Sequence, residues 1–118
     1  MTDVPKIEDI VAFSIDYLCG LFSGNDVVEH SGLFNAEKEL IEKFNLNNGL
    51  SLQCLFRPIY WYFKDNYGVS VRDKDPKSDK FYWALRDGLP DKKEFKKGVL
   101  KKNRTYLEFH LQKAQATS

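Results

Sequence analysis

The spacing of hydrophobic positions predicts two helices in the first fifty residues. Over 7–22 the hydrophobic residues recur every three or four positions and acidic residues occupy the other side, which is the period of an amphipathic helix. A second helix is predicted over 35–44, where Asn35 is a favourable first cap. The three asparagines and the glycine of 45–49 then predict a break.

The stretch that follows is the most apolar of the chain, and Pro58 leaves two interpretations of it. The hydrophobic residues of 52–63 fit a helical stripe, but a proline inside a helix removes a backbone hydrogen bond and clashes with the preceding turn. Either a kinked helix runs through Pro58, or a short strand precedes a helix that begins there. We predict a helix over 57–66 and leave 50–56 open between helix and strand.

In the last part of the chain, 69–77 predicts a short extended piece and then a polar turn that ends in Asp75-Pro76. A short helix and a hairpin are predicted to follow. Ser78 is a suitable cap for a helix over 79–87 that Gly88 would end. Strict alternation over 105–111 is typical of a half-buried strand. A three-residue loop would pair this strand with 95–101. The expected fold class is therefore α+β, mainly helical with a C-terminal β-hairpin.

The composition agrees with one folded domain over 1–118. The chain is 42% hydrophobic and 14% aromatic, which is enough to build a core at this length and excludes a disordered chain or a disulfide scaffold. No run of 18 apolar residues exists, so no membrane contact is expected. The start of the chain lacks a secretory signal, and Cys19 and Cys54 lie in apolar runs. Both features favour buried, reduced thiols in a cytoplasmic (intracellular) protein.

Charge is distributed unequally along this domain. Residues 1–50 hold three basic and nine acidic side chains, whereas 51–118 hold fifteen basic and eight acidic ones, for a net charge of +1. We therefore distinguish an acidic helical part (1–50), a basic part (51–111) and a flexible tail (112–118). Such asymmetry indicates contact with nucleic acid or a membrane, or two parts that neutralise each other.

The basic part resembles a winged-helix domain, with helices over 52–66 and 78–87 and a hairpin over 95–111. From Tyr60 onward it is similar to the winged-helix tail of phage and poxvirus-type primase-helicases. The resemblance rests on an aromatic helix that ends at Gly68, a Ser-initiated helix that ends at Gly88, and a basic hairpin with Tyr and Leu in its strand. It covers about half of the chain. It implies a DNA-binding module without the ATPase, since no phosphate-binding GxxxxGK[ST] motif is present.

Candidate DNA-binding residues follow from this arrangement. Tyr82, Trp83 and Arg86 would face outward from the helix over 79–87, where an arginine can bond a guanine edge and aromatic rings can stack on exposed bases. Basic side chains of the loop and hairpin would contact phosphates; these are Lys77, Lys80, Lys96, Lys97, Lys101, Lys102 and Arg104. The alternative is structural: the lysines form a solvated edge, the two aromatic residues pack under the acidic helices, and Arg86 pairs with a carboxylate.

No residue set indicates an enzyme, a metal or a cofactor. The two histidines have no ligand or triad spacing with the cysteines. Asp73-Lys74-Asp75 begins like a calcium loop, but Lys77 and Ser78 stand where an oxygen ligand and a glycine are needed. We therefore expect a small, non-enzymatic DNA-binding protein, phage- or plasmid-encoded, that acts in replication or transcription on double-stranded DNA.

The alternative is a protein-interaction module, such as an inhibitor, an immunity protein or an accessory subunit. Its protein partner would be steered by the unequal charge and anchored on the exposed aromatic and basic residues. The sequence indicates no oligomeric state.

Overall fold

The computed structural model of the protein describes residues 5–115. In this range the fold is α+β and mostly helical, with one three-stranded antiparallel sheet. The elements in chain order are α1 (Ile7–Phe22), β1 (Val27–Glu29), α2 (His30–Leu33), α3 (Ala36–Phe44), α4 (Leu50–Asn66), β2 (Gly68–Arg72), β3 (Phe81–Leu85) and α5 (Lys92–Ala114).

The core lies where α1, α4 and α5 meet. Ile10 and Leu18 of α1 are buried in the same hydrophobic cluster as Ile59 and Phe63 of α4 and Phe95 of α5. The helices predicted over 7–22 and 35–44 are confirmed, since α1 and α3 occupy these positions with a one-residue difference at the start of α3. Cys19 and Cys54 are buried and free, as expected.

Helix α4 runs through Pro58 without interruption, so 50–56 is helical and not a strand. A proline in a helix interior costs about 3 kcal/mol. The apolar side chains on both sides of Pro58 outweigh this cost, because Leu55, Phe56 and Ile59 are each completely buried and full burial contributes roughly 1.5–3 kcal/mol per side chain.

The prediction of a helix over 79–87 is wrong, because Phe81–Leu85 forms the central strand, β3, of the sheet. It pairs on one side with β1 and on the other with β2, so that Trp83 lies between Val28 and Ser70. Consecutive aromatic residues favour a strand, and two neighbouring strands satisfy its backbone. The Ser78 hydroxyl accepts a hydrogen bond from the Lys80 amide within the turn before β3, so it caps no helix.

The predicted hairpin over 95–111 is also wrong, because α5 is a continuous helix of 23 residues. Its first turn is capped by Asp91, whose carboxylate accepts hydrogen bonds from the amides of Lys93 (2.8 Å) and Glu94 (3.2 Å). Residues 112–114, which were expected in a flexible tail, belong to this helix; 116–118 lie outside the described residues. A C-terminal hairpin is therefore absent from residues 95–111, and the winged-helix arrangement is not confirmed.

Helices α4 and α5 pack closely and run antiparallel. A Cβ at position 98 would overlap the ring of Tyr62, which also lies near Phe95 (ring centroids 5.6 Å apart). Toward the other end of the pair, the His110 ring nitrogen lies 3.5 Å from the Ser51 hydroxyl. Gly98 thus allows α4 and α5 to approach each other closely. This packing determines which sides of α5 remain exposed to solvent.

Candidate nucleic-acid interface

Five basic side chains line an open groove along one side of α5. Together with Leu100 they enclose about 470 Å³. Their positions follow a helical stripe of three- and four-residue steps, which places them on one side of the helix. We call these residues the basic face: Lys93, Lys96, Lys97, Lys101 and Arg104.

Most of the charge of the basic face is not neutralised within the described part of the chain. Among residues 5–115, the ion pairs of α5 involve Lys92 with Asp16 (3.0 Å) and Arg104 with Glu8 (3.0 Å) and Glu108 (3.6 Å). No carboxylate in this range forms an ion pair with the four lysines of the basic face. Four cations are therefore available to an external anion.

The contact between α1 and α5 modifies one end of the basic face. Arg104 donates a hydrogen bond to Glu8, and this bond, together with a backbone hydrogen bond, lowers the pKa of the Glu8 carboxyl from its ordinary value. Glu8 stays ionised at neutral pH and competes with any external anion for Arg104. The open lysines are thus a stronger anion site than the arginine.

The structure does not place Trp83 outward. Trp83 is only 4% exposed, and its indole Nε1 donates a 2.9 Å hydrogen bond to Nδ1 of His30. The two rings belong to an aromatic cluster in which His30 stacks on Phe81 (centroids 4.2 Å apart) and packs edge-on against Tyr60 (5.5 Å). Trp83 therefore holds the sheet on the helices and has no face available for a base.

His30 is the partner that sequence reasoning missed. Burial lowers the pKa of its imidazole, and a ring nitrogen that accepts the Trp83 hydrogen bond has to be unprotonated. No local motif marks this pair, because His30 and Trp83 are 53 residues apart. The only signal in the sequence is the run of aromatic residues in β3, which indicates that another element must cover this strand.

The remaining residues of the predicted site lie away from the basic face. The Arg86 guanidinium donates a hydrogen bond to the carbonyl of Gly68 at 3.0 Å. Lys77 and Lys80 lie in the turn that enters β3, whereas Arg86 follows the strand's other end. Tyr82 is half-buried, and Lys102 is exposed but points about 180° away from Lys93 at 100° per residue.

The structure thus brings together part of the predicted site and separates the rest. Lys96, Lys97, Lys101 and Arg104 share one groove, to which Lys93 is added. They do so as one side of a helix and not as a β-hairpin. In the described range, no three His, Cys, Asp or Glu side chains converge as metal ligands, and no helix is long and apolar enough to cross a membrane.

Comparison with models of known families, with curated proteins and with solved structures finds no match to this chain.

Proposed function

We propose that the protein binds double-stranded DNA and that the basic face of α5 contacts the phosphate backbone. The observation that carries this proposal is the set of four lysines in one groove without a carboxylate partner in residues 5–115. Phosphate contacts of this kind give affinity without reading sequence.

The position of these lysines within the helix supports a binding role. The N-terminal end of a helix carries a partial positive charge, so cations there destabilise the helix. Lys93 lies in the first turn of α5, where this effect is strongest and where Asp91 and Glu94 are the favourable charges. Charges placed against helix stability are better explained by an external anion than by folding.

The dimensions of the basic face agree with a duplex. Lys93 and Arg104 are eleven residues apart, which is about 16 Å along the helix axis at 1.5 Å per residue. The major groove of B-form DNA is about 12 Å wide and admits an α-helix. The guanidinium of Arg86 donates a hydrogen bond to the Gly68 carbonyl, so we do not expect it to recognise a base. The proposed contacts are with phosphates alone.

The test is a salt titration of binding to a fluorescently labelled duplex, followed by anisotropy. Neutralising four to five phosphates predicts a log–log slope of about −4. The double variant Lys97→Gln, Lys101→Gln should reduce this slope by about two and weaken binding more than tenfold at low salt. Glutamine keeps the helix propensity of lysine.

The matched control is Lys38→Gln, Lys43→Gln on α3, which removes the same charge from exposed positions elsewhere. This variant should bind almost as the parent does. Absence of binding at low salt, or an equal loss in both double variants, would contradict the proposal.

A protein partner anchored on Tyr82 and Trp83 is less well supported than DNA. The indole of Trp83 is buried against His30 and cannot enter a partner's pocket without opening the sheet. Exposed aromatic residues do occur elsewhere, on α4 and α5.

A further inference from the structure

The pair formed by α4 and α5 leaves large hydrophobic side chains in solvent on a second surface. Of the seven large hydrophobic residues that are exposed within the described range, four lie on these two helices. Leu50 is 69% exposed, Trp61 47%, Tyr106 40% and Phe109 55%. We call these four residues the aromatic face.

The antiparallel packing of the two helices places Leu50 at the same end of the pair as Tyr106 and Phe109. His110 lies 3.5 Å from Ser51, the neighbour of Leu50, and its ring is 4.5 Å from Tyr106 and 5.1 Å from Phe109 between centroids. Trp61 lies three turns further along the same side of α4, since eleven residues complete slightly more than three full turns. Both helices thus expose hydrophobic groups on one side.

Cations outnumber acids beside this hydrophobic surface. Arg57 lies between Leu50 and Trp61 on α4, and Lys102 and Lys113 lie one turn before Tyr106 and one turn after Phe109 on α5. The Lys113 ammonium is 5.7 Å from the centroid of the Phe109 ring. Helix positions 50, 54, 57 and 61, and 102, 106, 109 and 113, carry no carboxylate. Asp65 lies one turn beyond Trp61, and Glu37 of α3 interacts electrostatically with Arg57; the three cations outnumber these two acids. A complementary partner is therefore apolar along its centre and acidic at its margins.

We propose that the aromatic face binds an amphipathic helix of a partner protein that carries acidic side chains beside its apolar stripe. Two antiparallel helices present a groove into which a third helix packs. Trp61, Tyr106 and Phe109 are the anchors, because exposed aromatic residues that become desolvated contribute most of the energy of such interfaces. Arg57, Lys102 and Lys113 pair with the acidic residues and fix the orientation of the bound helix.

This occupant fits better than two others. A second copy of the chain, related by a two-fold axis, would bring like cations of the same surface together. A single strand of nucleic acid uses aromatic rings on which successive bases stack. Here Leu50 offers no ring, and Trp61 is about 16 Å from Leu50 along α4.

The proposal does not rest on DNA binding. The aromatic face shares no residue with the basic face of α5. A variant of one surface therefore tests that surface alone.

The test uses a displayed library of random peptides about 18 residues long, enough for five helical turns, selected against the full chain. The enriched peptides should combine hydrophobic residues at three- and four-residue spacing with an excess of Asp and Glu. Their affinity should fall at least tenfold for Trp61→Ala and for Phe109→Ala. Leu89→Ala and Val69→Ala, which remove exposed hydrophobic groups elsewhere, are the matched controls and should change affinity less than twofold.

Each other outcome overturns the proposal. Basic or purely polar peptides, no enrichment, or affinity that is insensitive to Trp61→Ala and Phe109→Ala would show that this surface does not take an acidic helix. Binding of oligothymidylate that is lost in Trp61→Ala would assign the surface to single-stranded nucleic acid. A dimer in sedimentation that dissociates in Phe109→Ala would assign it to self-association.

Discussion

Two lysine-rich segments of this protein differ in how their charge is compensated. The turn over 73–80 alternates three lysines with three aspartates, and its backbone amides bond its own carboxylates, as the Asp75 amide does with Asp73 (3.1 Å). These hydrogen bonds lower the pKa of Asp73. The lysines of the turn form no ion pair in the described residues either, but three aspartates lie among them. No acidic residue of this range lines the groove of the basic face of α5. Only the second segment produces a continuous positive surface.

The aromatic residues beside the two segments differ in the same way. Those of β3 are covered by α2 and α4, with Trp83 bonded to His30, and they serve the fold. Those near the end of α5, such as Phe109, are exposed and available to a partner. A lysine-rich segment next to aromatic residues is therefore not by itself a binding site; the neighbouring elements decide.

The largest expected effect tests the orientation of α5, on which this contrast depends. Phe95→Ala should destabilise the protein by about 3–5 kcal/mol, because its ring is completely buried. Phe109→Ala on the same helix should change the free energy of unfolding by less than about 0.5 kcal/mol, since this ring is mostly in solvent. Urea unfolding measures both. Similar losses in the two variants would mean that α5 is packed differently.

The next effect separates the two lysine-rich segments. Replacing Lys93, Lys97 and Lys101 by glutamine should weaken duplex binding more than tenfold at low salt, because three phosphate contacts are lost. Replacing Lys74, Lys77 and Lys80 by glutamine removes the same charge and should weaken binding less than about twofold. Anisotropy titrations of the two triple variants decide the comparison, and the reverse order would assign the interface to the turn.

A pH titration tests the structural role of His30. Burial lowers its pKa below the ordinary 6.5 in the folded chain, so the unfolded chain takes up the proton first as the pH falls. The free energy of unfolding should therefore decrease as the pH falls through about 6.5 and below, until the folded protein is also protonated. The measurement is the urea midpoint between about pH 8 and pH 5.

The matched variant for this titration is His30→Gln. It should flatten the pH dependence below pH 7. A parent protein whose urea midpoint does not change across this range would show that His30 is not held neutral by its surroundings.

The smallest effect concerns the contact between Glu8 and Arg104. Glu8→Gln removes the nearer of the two carboxylates that pair with Arg104, at 3.0 Å against 3.6 Å for Glu108, so Arg104 becomes more available to phosphate. Duplex affinity should rise by about twofold or less, and the salt slope should become more negative by at most about one. Weaker binding in this variant would mean that Glu8 positions Arg104 for the ligand.

The sequence predicts the two N-terminal helices well, because α1 and α3 each have a clear polar side. It fails in α5 for a definite reason. Phe95, Val99, Leu107 and Leu111 are buried, as the hairpin also required, but they are separated by multiples of four residues. A step of four agrees with both the two-residue period of a strand and the 3.6-residue period of a helix.

The candidate site shows the same limit. Lys96, Lys97, Lys101 and Lys102 are predicted to act together. One side of the helix brings the first three together, as the hairpin was expected to, whereas Lys102 points to the opposite side. The burial of Trp83 depends on His30, which is 53 residues away, and on two strands that pair with β3. Local periodicity carries no signal for such a contact. Nothing in the sequence therefore argued against the outward position expected for Trp83.

The four-residue steps of α5 have a geometric consequence for its surface. Each step of four turns about 40° beyond a full circle, so the line of core contacts winds through about 160° between Phe95 and Leu111. The side of α5 that is exposed to solvent near the start of the helix therefore differs from the side that is exposed near its end. If the basic face binds DNA and the aromatic face binds a helix, as we propose, α5 carries two dissimilar ligands on opposite sides of one rigid element and couples a nucleic acid to a partner chain.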